Sequence, residues 1–458
     1  MKDGFRIYWF CLYLVFRLCE GIVRLLPLDY AFIMGRAGGE FAYRFLRKRR
    51  LLALNNLRLA FGAEMSDAQL RALNREHFQL LGANLLAGLK SSTMTHEKIW
   101  ERVTANVPNE RSQTGWIALI SHIGNWELFS HLGEKFQEYR FGAIYQPLSN
   151  PYIDRYLQRP RTRSGLTLFD RRRDLLKCVR FLREGGVVGV LIDQGAGHAG
   201  LWTPLFGRLA SSSTLAATLS IRTGLPVVPI AINTSGRARW NMTISQPLYP
   251  QNDDADLLTA QINSLLEKQI RRSPADWLWS HNRWKPLRPH ILFAREQRRV
   301  FIPPEFDRTK LDPFRILFVS PNSEAAAEAT LPALRAIKAG RPDTWLGVLA
   351  PEALADYWKN QPETDLLIKW RDDDSTSSLA AKIRSAARFD VATFFNQSWK
   401  PTLAVWKAGI PLRIGRRAGF VSWFYNQHPQ APREQLDAVH LNLRFAKSIG
   451  ANISDPKL

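Results

Sequence analysis

The middle of the chain alternates between short apolar runs and segments with helical periodicity. The runs Ile117–Ile120, Val187–Ile192 and Val227–Ile232 have the length and composition of buried strands. Between them, Arg173–Arg183 and Ser213–Arg222 repeat their apolar residues at the spacing of a helix. This alternation predicts an α/β domain in which the strands share one sheet.

The segments on either side of this domain differ from it in pattern. Residues 41–105 have helical periodicity, and Ser66 before Asp67 predicts a helix N-terminus, because a serine side chain accepts from the free amides of a first turn. Residues 291–312 are interpreted as a linker because they lack periodicity and belong to a stretch rich in proline and arginine. We therefore divide the chain into residues 1–40, 41–290, 291–312 and 313–458.

A second alternation follows the linker and predicts a small doubly wound, Rossmann-like domain. Its predicted strands are Arg315–Val319, Trp345–Leu349, Leu366–Lys369 and Asp390–Phe395. Its predicted helices are Glu324–Ala339, Ser377–Ala387 and Pro401–Lys407. The chain as a whole is thus predicted to be an α/β protein with two separate sheets.

The first 40 residues predict a membrane-associated helix. An uninterrupted apolar decamer runs from Ile7 to Phe16. The neighbouring charged residues fall within one narrow stripe of a helix whose remaining circumference is apolar: Arg6, Arg17, Glu20 and Arg24. Such a helix lies in a bilayer interface or forms a marginal single anchor, and a half-buried helix of a soluble protein is the alternative. The basic residues 47–50 would then meet lipid headgroups, unless they only form a solvated helix face.

The net positive charge of the chain limits the kinds of molecule that it is expected to bind. The chain has 63 Lys and Arg against 41 Asp and Glu, a net charge of +22. Most of the excess lies in residues 1–300, where 42 basic residues face 24 acidic ones. A basic surface suits anionic lipid, an acidic carrier protein or nucleic acid. Nucleic acid would explain the charge but not the motif described next, so we do not expect it as a partner.

The spacing of the cysteine and histidine residues along the sequence does not predict a metal site. The three cysteines, Cys11, Cys19 and Cys178, have neither metal-ligand spacing nor the even number of a disulfide framework, which favours a reducing compartment. The histidines form no His-Glu-x-x-His group, so no metal is expected.

The segment Ser121–Glu127, directly after the first predicted strand, has the composition of a general-base site. If His122 ends the strand and Gly124 makes a tight turn, Glu127 falls in the first turn of a helix and can reach the imidazole. A carboxylate that accepts from one ring nitrogen fixes the tautomer and raises the basicity of the other. A structural histidine beside an N-terminal glutamate is the alternative reading.

With this motif, residues 1–290 resemble the lipid A lauroyl/myristoyl acyltransferases of the lysophospholipid-acyltransferase superfamily. His-x4-Glu is the most specific element of the resemblance. Further stretches similar to blocks of that family are Tyr145–Pro151, Asp193–Gly195, Pro204–Gly207, Val227–Ile230 and Trp277–Trp284. Gln146 departs from the pattern, because the family often has arginine there.

The resemblance implies a membrane-bound acyltransferase whose α/β domain has a mixed sheet flanked by helices. It implies transfer of a fatty acyl chain from acyl carrier protein or acyl-CoA to a hydroxyl of a lipid A precursor or related glycolipid, at the cytoplasmic face of the inner membrane and without another cofactor. His122 would be the general base and Glu127 would orient it. The substrate-binding residues that the resemblance implies are Asn125, Tyr145, Asn150, Arg161, Arg163, Asp193 and Gln194.

The second predicted domain contains three notable stretches, Leu331–Lys338, Phe395–Trp399 and His440–Leu443. With them, residues 313–458 resemble the first domain of heptosyltransferase-type glycosyltransferases. Ala325 and Ala326 stand where those enzymes have a Gly-Asp pair whose aspartate is the base, so we expect a degenerate, truncated module. Two alternatives to the lipid A reading stay open: an acyltransferase for another glycolipid or lysophospholipid, and a catalytically silent membrane scaffold for glycan assembly.

Overall fold

The computed structural model describes residues 2–106, 114–163, 165–171, 173–294, 298–396, 398–417, 419–430 and 435–453. They form two compact units: the first comprises residues 1–284 and 300–306, and the second comprises residues 285–299 and 307–458. The segment 291–312 is therefore shared between the units. Val300 pairs with Trp202 in the first unit, whereas Ile291 and Leu292 are buried in the core of the second.

The first unit combines helices with a mixed sheet. Its helices are α1 (Lys2–Leu25), α2 (Leu28–Phe45), α3 (Arg47–Phe61), α4 (Asp67–Ser91), α5 (His96–Trp100), α6 (Leu132–Lys135), α7 (Pro151–Arg163), α8 (Leu175–Arg183), α9 (Leu215–Thr223) and α10 (Ala255–Arg272). Its strands are β1 (Val103–Asn106), β2 (Trp116–Ile120), β3 (Phe141–Tyr145), β4 (Thr167–Asp170), β5 (Val187–Leu191), β6 (Leu201–Leu205), β7 (Arg208–Ser212), β8 (Val227–Gly236) and β9 (Arg239–Ile244).

Seven of these strands form one sheet in the order β1-β9-β8-β2-β5-β3-β4, and β6 and β7 form a separate antiparallel hairpin. In the large sheet only β8 and β9 run antiparallel, and the other pairs are parallel. The predicted α/β class with a mixed sheet is confirmed. The three strands that the apolar runs predict are β2, β5 and β8, which lie side by side at the centre of the sheet.

The two faces of the central strands have different surroundings. Ile117 and Leu119 of β2 point to one face, where they join a core with residues of α3, α4, α9 and α10. Ala118 and Ile120 point to the opposite face, where Ala118 belongs to a second, smaller core and both residues line a cavity. Side-chain alternation along a strand therefore separates a packed face of the sheet from an open one.

Helix α4 begins where the sequence predicts it. Ser66 accepts from the backbone N–H of Gln69, and the Gln69 side chain accepts from the Ser66 backbone N–H, which completes a capping box. This reciprocal pair satisfies two of the amides that a helix leaves free at its N-terminus.

Helix α1 packs with its polar side toward the protein. The Glu20 carboxylate is buried and forms ion pairs with Arg17 at 3.0 Å and Arg24 at 2.7 Å. Tyr156 of α7 donates its hydroxyl hydrogen to Glu20 at 2.7 Å. The predicted charged stripe is thus the contact with α7; the Arg6 side chain lies outside the described residues. Among the described residues, no helix is both long enough and apolar enough to reach across a bilayer.

The second unit is a five-stranded parallel sheet with helices on both faces. Its strands are β10 (Phe314–Val319), β11 (Thr344–Pro351), β12 (Leu366–Trp370), β13 (Val391–Phe394) and β14 (Leu412–Gly415), in the order β12-β11-β10-β13-β14. Its helices are α11 (Glu324–Glu328), α12 (Leu331–Lys338), α13 (Ala355–Lys359), α14 (Thr376–Ala386), α15 (Trp399–Ala408) and α16 (Ala438–Ser448). The order reverses beside β10, which is the doubly wound topology that the sequence predicts.

The cores of the second unit show how the helices divide between the faces. Residues of α12, α13 and α16 pack with Ile316 and Phe318 of β10, whereas residues of α14 and α15 pack with Leu317 and Val319. The single helix predicted over 324–339 is two helices, because Pro332 in the first turn of α12 starts a new helix.

A close helix contact in the first unit gives a stability prediction. A Cβ atom on Gly82 of α4 would lie 2.2 Å from the Gly35 carbonyl oxygen of α2, which no real contact allows. We expect Gly82→Ala to lower the free energy of unfolding by about 1–3 kcal/mol, because the helices must move apart. Chemical denaturation measures the change. Gly38→Ala in α2 is the matched control: its Cβ would meet nothing within 4 Å, so the substitution should stabilise by up to about 1 kcal/mol. Equal effects of the two substitutions would contradict the contact.

Candidate active site

Two polar side chains meet at the edge of the large sheet. His122 follows β2 and Asp193 follows β5, and these strands are parallel neighbours with Ile120 opposite Leu191. The residues that follow both strands therefore lie at the same edge. His122 Nδ1 is 2.9 Å from Asp193 Oδ1, and the His122 backbone N–H donates to Asp193 Oδ2 at 2.7 Å.

A third donor fixes the Asp193 carboxylate. The indole Nε1–H of Trp277 donates to Asp193 Oδ2 at 3.0 Å, and both side chains are buried. Burial opposes ionisation of Asp193, yet the charge of His122 and these hydrogen bonds hold the pKa of the carboxyl below its usual value. Asp193 is thus an ionised acceptor held in one position.

The same contact sets the state of the imidazole. An ionised carboxylate can only accept, so Nδ1 of His122 carries a hydrogen and Nε2 is the basic nitrogen. Burial alone would lower the pKa of His122, but the charge of Asp193, its hydrogen bond and the charge of Glu127 together raise this pKa above its usual value. The ring also packs edge-on against Trp126, with the ring centroids 5.1 Å apart. This arrangement suits a general base.

The turn after His122 depends on Gly124. Its φ of +57° lies in the left-handed region, and a Cβ there would be 2.0 Å from the Ile232 carbonyl oxygen of β8. The Gly124 backbone N–H donates to the Asp276 carbonyl oxygen at 3.1 Å. The turn leads into a 3-10 helix, Trp126–His131, that carries Glu127. At Gly124 the chain still runs parallel to β8, opposite Ile232, and after Asn125 it enters the helical turn that the sequence predicts.

A cavity of about 540 Å³ opens beside the imidazole. His122 and Glu127 line it together with the open face of the sheet, which is apolar and includes small residues. The strand residues on this wall include Ala118, Ile120, Ala143, Val187, Gly189 and Leu191. Polar side chains that also line the cavity are Tyr145, Gln146, Ser149, Asp154, Gln158 and Gln194. The volume and the mostly apolar lining are typical of a site for a small molecule or an apolar chain.

A family profile described as bacterial lipid A biosynthesis acyltransferase matches residues 5–286, which is more than half of the chain. The chain belongs to this family. Two similar relatives are from Escherichia coli K12. The lipid A biosynthesis lauroyltransferase is 28% identical over 275 residues, 58% of this chain and 88% of that protein. The lipid A biosynthesis palmitoleoyltransferase is 24% identical over 268 residues, 57% of this chain and 86% of that protein. This protein is therefore an acyltransferase.

Solved structures that are similar to part of the acyltransferase chain are glycosyltransferases. A glycosyl transferase family 9 protein from Veillonella parvula is 17% identical with a TM-score of 0.29, over 31% of this chain and 42% of that one. The E. coli ADP-heptose lipopolysaccharide heptosyltransferase II is 23% identical with a TM-score of 0.27, over 31% of this chain and 45% of that one. The acyltransferase chain thus spans less than half the length of these two proteins.

The structure shows a carboxylate contact of His122 that the sequence analysis does not assign. The sequence analysis assigns the imidazole contact to Glu127 and substrate binding to Asp193. The carboxylate at His122 Nδ1 is that of Asp193, and the charge of Glu127 also contributes to the raised pKa of the ring. The reason is that neighbouring parallel strands bring their following residues together. A signal for this was present in the sequence, because Asp193 directly follows a predicted buried strand.

The other predicted site residues divide into three groups. Tyr145 and Gln194 line the cavity. Asn125 and Asn150 are buried, and Asn125 lies against Gly88 of α4. The Asn150 side chain caps α7 by accepting from the Tyr152 backbone N–H at 3.0 Å. Its Nδ2–H donates to the Trp9 carbonyl oxygen at 2.9 Å. Asn150 thus has partners within the protein, and its substrate contact stays a prediction. The side chains predicted to bind substrate that lie outside the described residues are Arg161 and Arg163.

Sequence reasoning missed a polar group inside the cavity. The Tyr145 hydroxyl donates to the Asp154 carboxylate, and Gln158 Nε2–H donates to Tyr145 Oη at 2.7 Å and to Asp154 at 2.8 Å. Asp154 and Gln158 lie one turn apart on α7, a spacing that predicts a shared helix face. In the described part of the chain, no three His, Cys, Asp or Glu side chains gather as a metal would require.

The His122–Asp193 contact predicts the titration of the imidazole. Asp193→Asn keeps the shape of the side chain and removes its charge, so burial then acts on His122 with little opposition and we expect its pKa to fall. NMR of isotope-labelled histidine measures this titration. Glu127→Gln is the matched control and should lower the pKa less, because its charge makes a smaller contribution. A larger fall in Glu127→Gln than in Asp193→Asn would show that Glu127 holds the ring.

Proposed function

We propose that the protein transfers a fatty acyl chain from a thioester, carried by acyl carrier protein or coenzyme A, to a hydroxyl of a lipid A precursor. The observation that carries this proposal is the position of His122: a carboxylate-paired imidazole beside an apolar cavity. The family of the chain supports the lipid A precursor as acceptor. The basic surface of residues 1–300 suits both a phosphorylated glycolipid and an acidic carrier.

The proposed reaction is a direct acyl transfer. As the acceptor oxygen bonds to the thioester carbonyl carbon, its proton passes to His122 Nε2. Collapse of the tetrahedral adduct breaks the carbon–sulfur bond, and the imidazolium returns the proton to the leaving thiolate. Asp193 stabilises the imidazolium between these steps, and Glu127 adds a second negative charge nearby. The role of Glu127 as a catalytic residue is thus electrostatic in this proposal.

We assign the acyl chain to the apolar part of the cavity. The small residues Ala118 and Ala143 leave room above the sheet, whereas Tyr145 and Gln194 are polar groups available to the head of a substrate. Gln146 also lines the cavity, at the position where the family often has arginine. A neutral amide there offers weaker phosphate binding than a guanidinium.

We propose a location at the cytoplasmic face of the inner membrane, as the resemblance implies, and the outward apolar side of α1 supports a membrane surface. Ile7, Leu14, Val15, Leu18 and Ile22 are between 51% and 67% exposed, while the charged stripe packs on the protein. An apolar helix face of this extent is stable in a bilayer interface and unfavourable in water. The basic residues 47–50 at the start of α3 are suited to anionic headgroups.

Loss of the imidazole tests the chemistry. We expect His122→Ala to reduce acyl transfer about 10²–10⁴-fold, because no other group replaces the base. The assay follows the mass of a lipid A precursor incubated with lauroyl acyl carrier protein. His96→Ala, at a histidine in α5 that pairs with Glu97 on the surface, is the matched control and should keep full activity. Full activity in a folded His122→Ala variant would end the proposal.

A substitution of a residue that lines the cavity tests whether the acyl chain binds there. Ala143→Leu extends into the cavity from β3, so chains that fill the cavity lose room. A loss of two buried methylenes corresponds to about a tenfold shift in preference toward a chain shorter by two carbons. Competition between acyl donors of different length measures the ratio. Ala68→Leu, on the exposed first turn of α4, is the control and should leave the ratio unchanged. An unchanged ratio in Ala143→Leu would place the chain elsewhere.

A further inference from the structure

The second unit exposes an aromatic surface formed by α15 and the 3-10 helix Phe420–Phe424. Trp399 and Trp406 lie seven residues apart, on the same side of α15, and are 53% and 49% exposed. Phe420 and Trp423 are 67% and 90% exposed. The rings of Trp406 and Phe424 are in contact, with centroids 5.7 Å apart, so the two helices form one surface. We call this the aromatic surface.

The chain segment that carries the aromatic surface has charges of one sign. Between Asp390 and Glu434 the sequence has six Lys and Arg and no acidic residue. Two cations contact the surface directly: Arg384 donates to the Lys407 carbonyl oxygen at 3.0 Å, and Arg413 donates to the Phe424 carbonyl oxygen at 2.6 Å.

The basic side chains next to the rings are not neutralised. Lys407 donates to the Thr376 hydroxyl at 2.7 Å, and Arg417 is exposed beside the 3-10 helix. Within the part of the chain that the structure describes, Arg384, Lys407, Arg413 and Arg417 form no ion pair with a carboxylate. The surface therefore combines water-exposed rings with uncompensated positive charge.

We propose that the aromatic surface binds the headgroup region of an anionic phospholipid bilayer. Tryptophan is enriched at this depth because its ring is apolar and its N–H finds acceptors there, and lysine and arginine beside it meet the negative surface potential. Trp423 supports the bilayer as the binding partner most strongly, because 90% of this residue is exposed to solvent in the free protein. The proposal does not depend on the acyl transfer chemistry, because it concerns only the second unit.

A dye on the aromatic surface tests this contact directly. The full chain carries Trp423→Cys, labelled with an environment-sensitive nitrobenzoxadiazole dye, and the exposed Cys11 and Cys19 are replaced by serine, while the buried Cys178 is kept. We expect the emission to shift to the blue on addition of equimolar phosphatidylcholine–phosphatidylglycerol vesicles. Lys359→Cys, labelled on α13 at the opposite face of the sheet, is the control and should not respond.

Three outcomes of this experiment would overturn the proposal. One is a dye at position 423 that does not respond although the chain sediments with the vesicles, which would leave binding to α1 alone. Another is an equal response to vesicles of phosphatidylcholine only. The third is a blue shift that follows protein concentration without vesicles, which would show that a second copy of the chain covers the surface.

Unlabelled variants give the size of the effect. Phe420→Ser together with Trp423→Ser should weaken binding of the full chain to the mixed vesicles at least about tenfold, because two rings are no longer buried. Lys407→Gln and Arg417→Gln should each weaken it about fivefold at low salt. Leu176→Ser on α8, at a leucine that is 79% exposed, is the control and should leave binding unchanged. Equal binding of the paired aromatic variant and Leu176→Ser would contradict the proposal.

Discussion

The Asp193 carboxylate that holds His122 is the interaction on which the site depends. It joins the residues that follow two neighbouring parallel strands, and it is itself fixed by the Trp277 indole and the His122 backbone N–H. These contacts determine which ring nitrogen carries the hydrogen and favour the charged form of the imidazole. Without the parallel pairing of β2 and β5, the same residues would have no reason to meet.

The sheet also explains why the base lies beside an apolar cavity. Alternate residues of β2 and β5 serve opposite faces, so a single pair of strands supplies one set of apolar side chains to the core and another to the cavity wall. The turn at Gly124 then brings Glu127 to the same cavity without lengthening the strand. The chemistry and the space for a substrate thus come from one structural arrangement.

Local sequence patterns predicted where helices, strands and turns form better than they predicted which residues come into contact in the fold. Three apolar runs identified the central strands, Ser66 identified the start of α4, and Gly124 identified the turn. The strands β1, β3, β4, β6, β7 and β9 were missed, because segments of four to six residues leave no clear period. The partner of His122 was assigned to Glu127 because spacing along the chain reports only local contacts, whereas Asp193 is 71 residues away and is brought close by strand order.

Helix α7 contacts helix α1 on one side and lines the cavity on the other. Tyr156 contacts Glu20 of α1, while Asp154 and Gln158 contribute to the cavity. Helix α7 therefore lies between α1 and the polar lining of the cavity, and one turn of its backbone carries the side chains that contact both. The consequence is that one short helix fixes two things at once: the seat of the first helix and the polar side of the space beside His122.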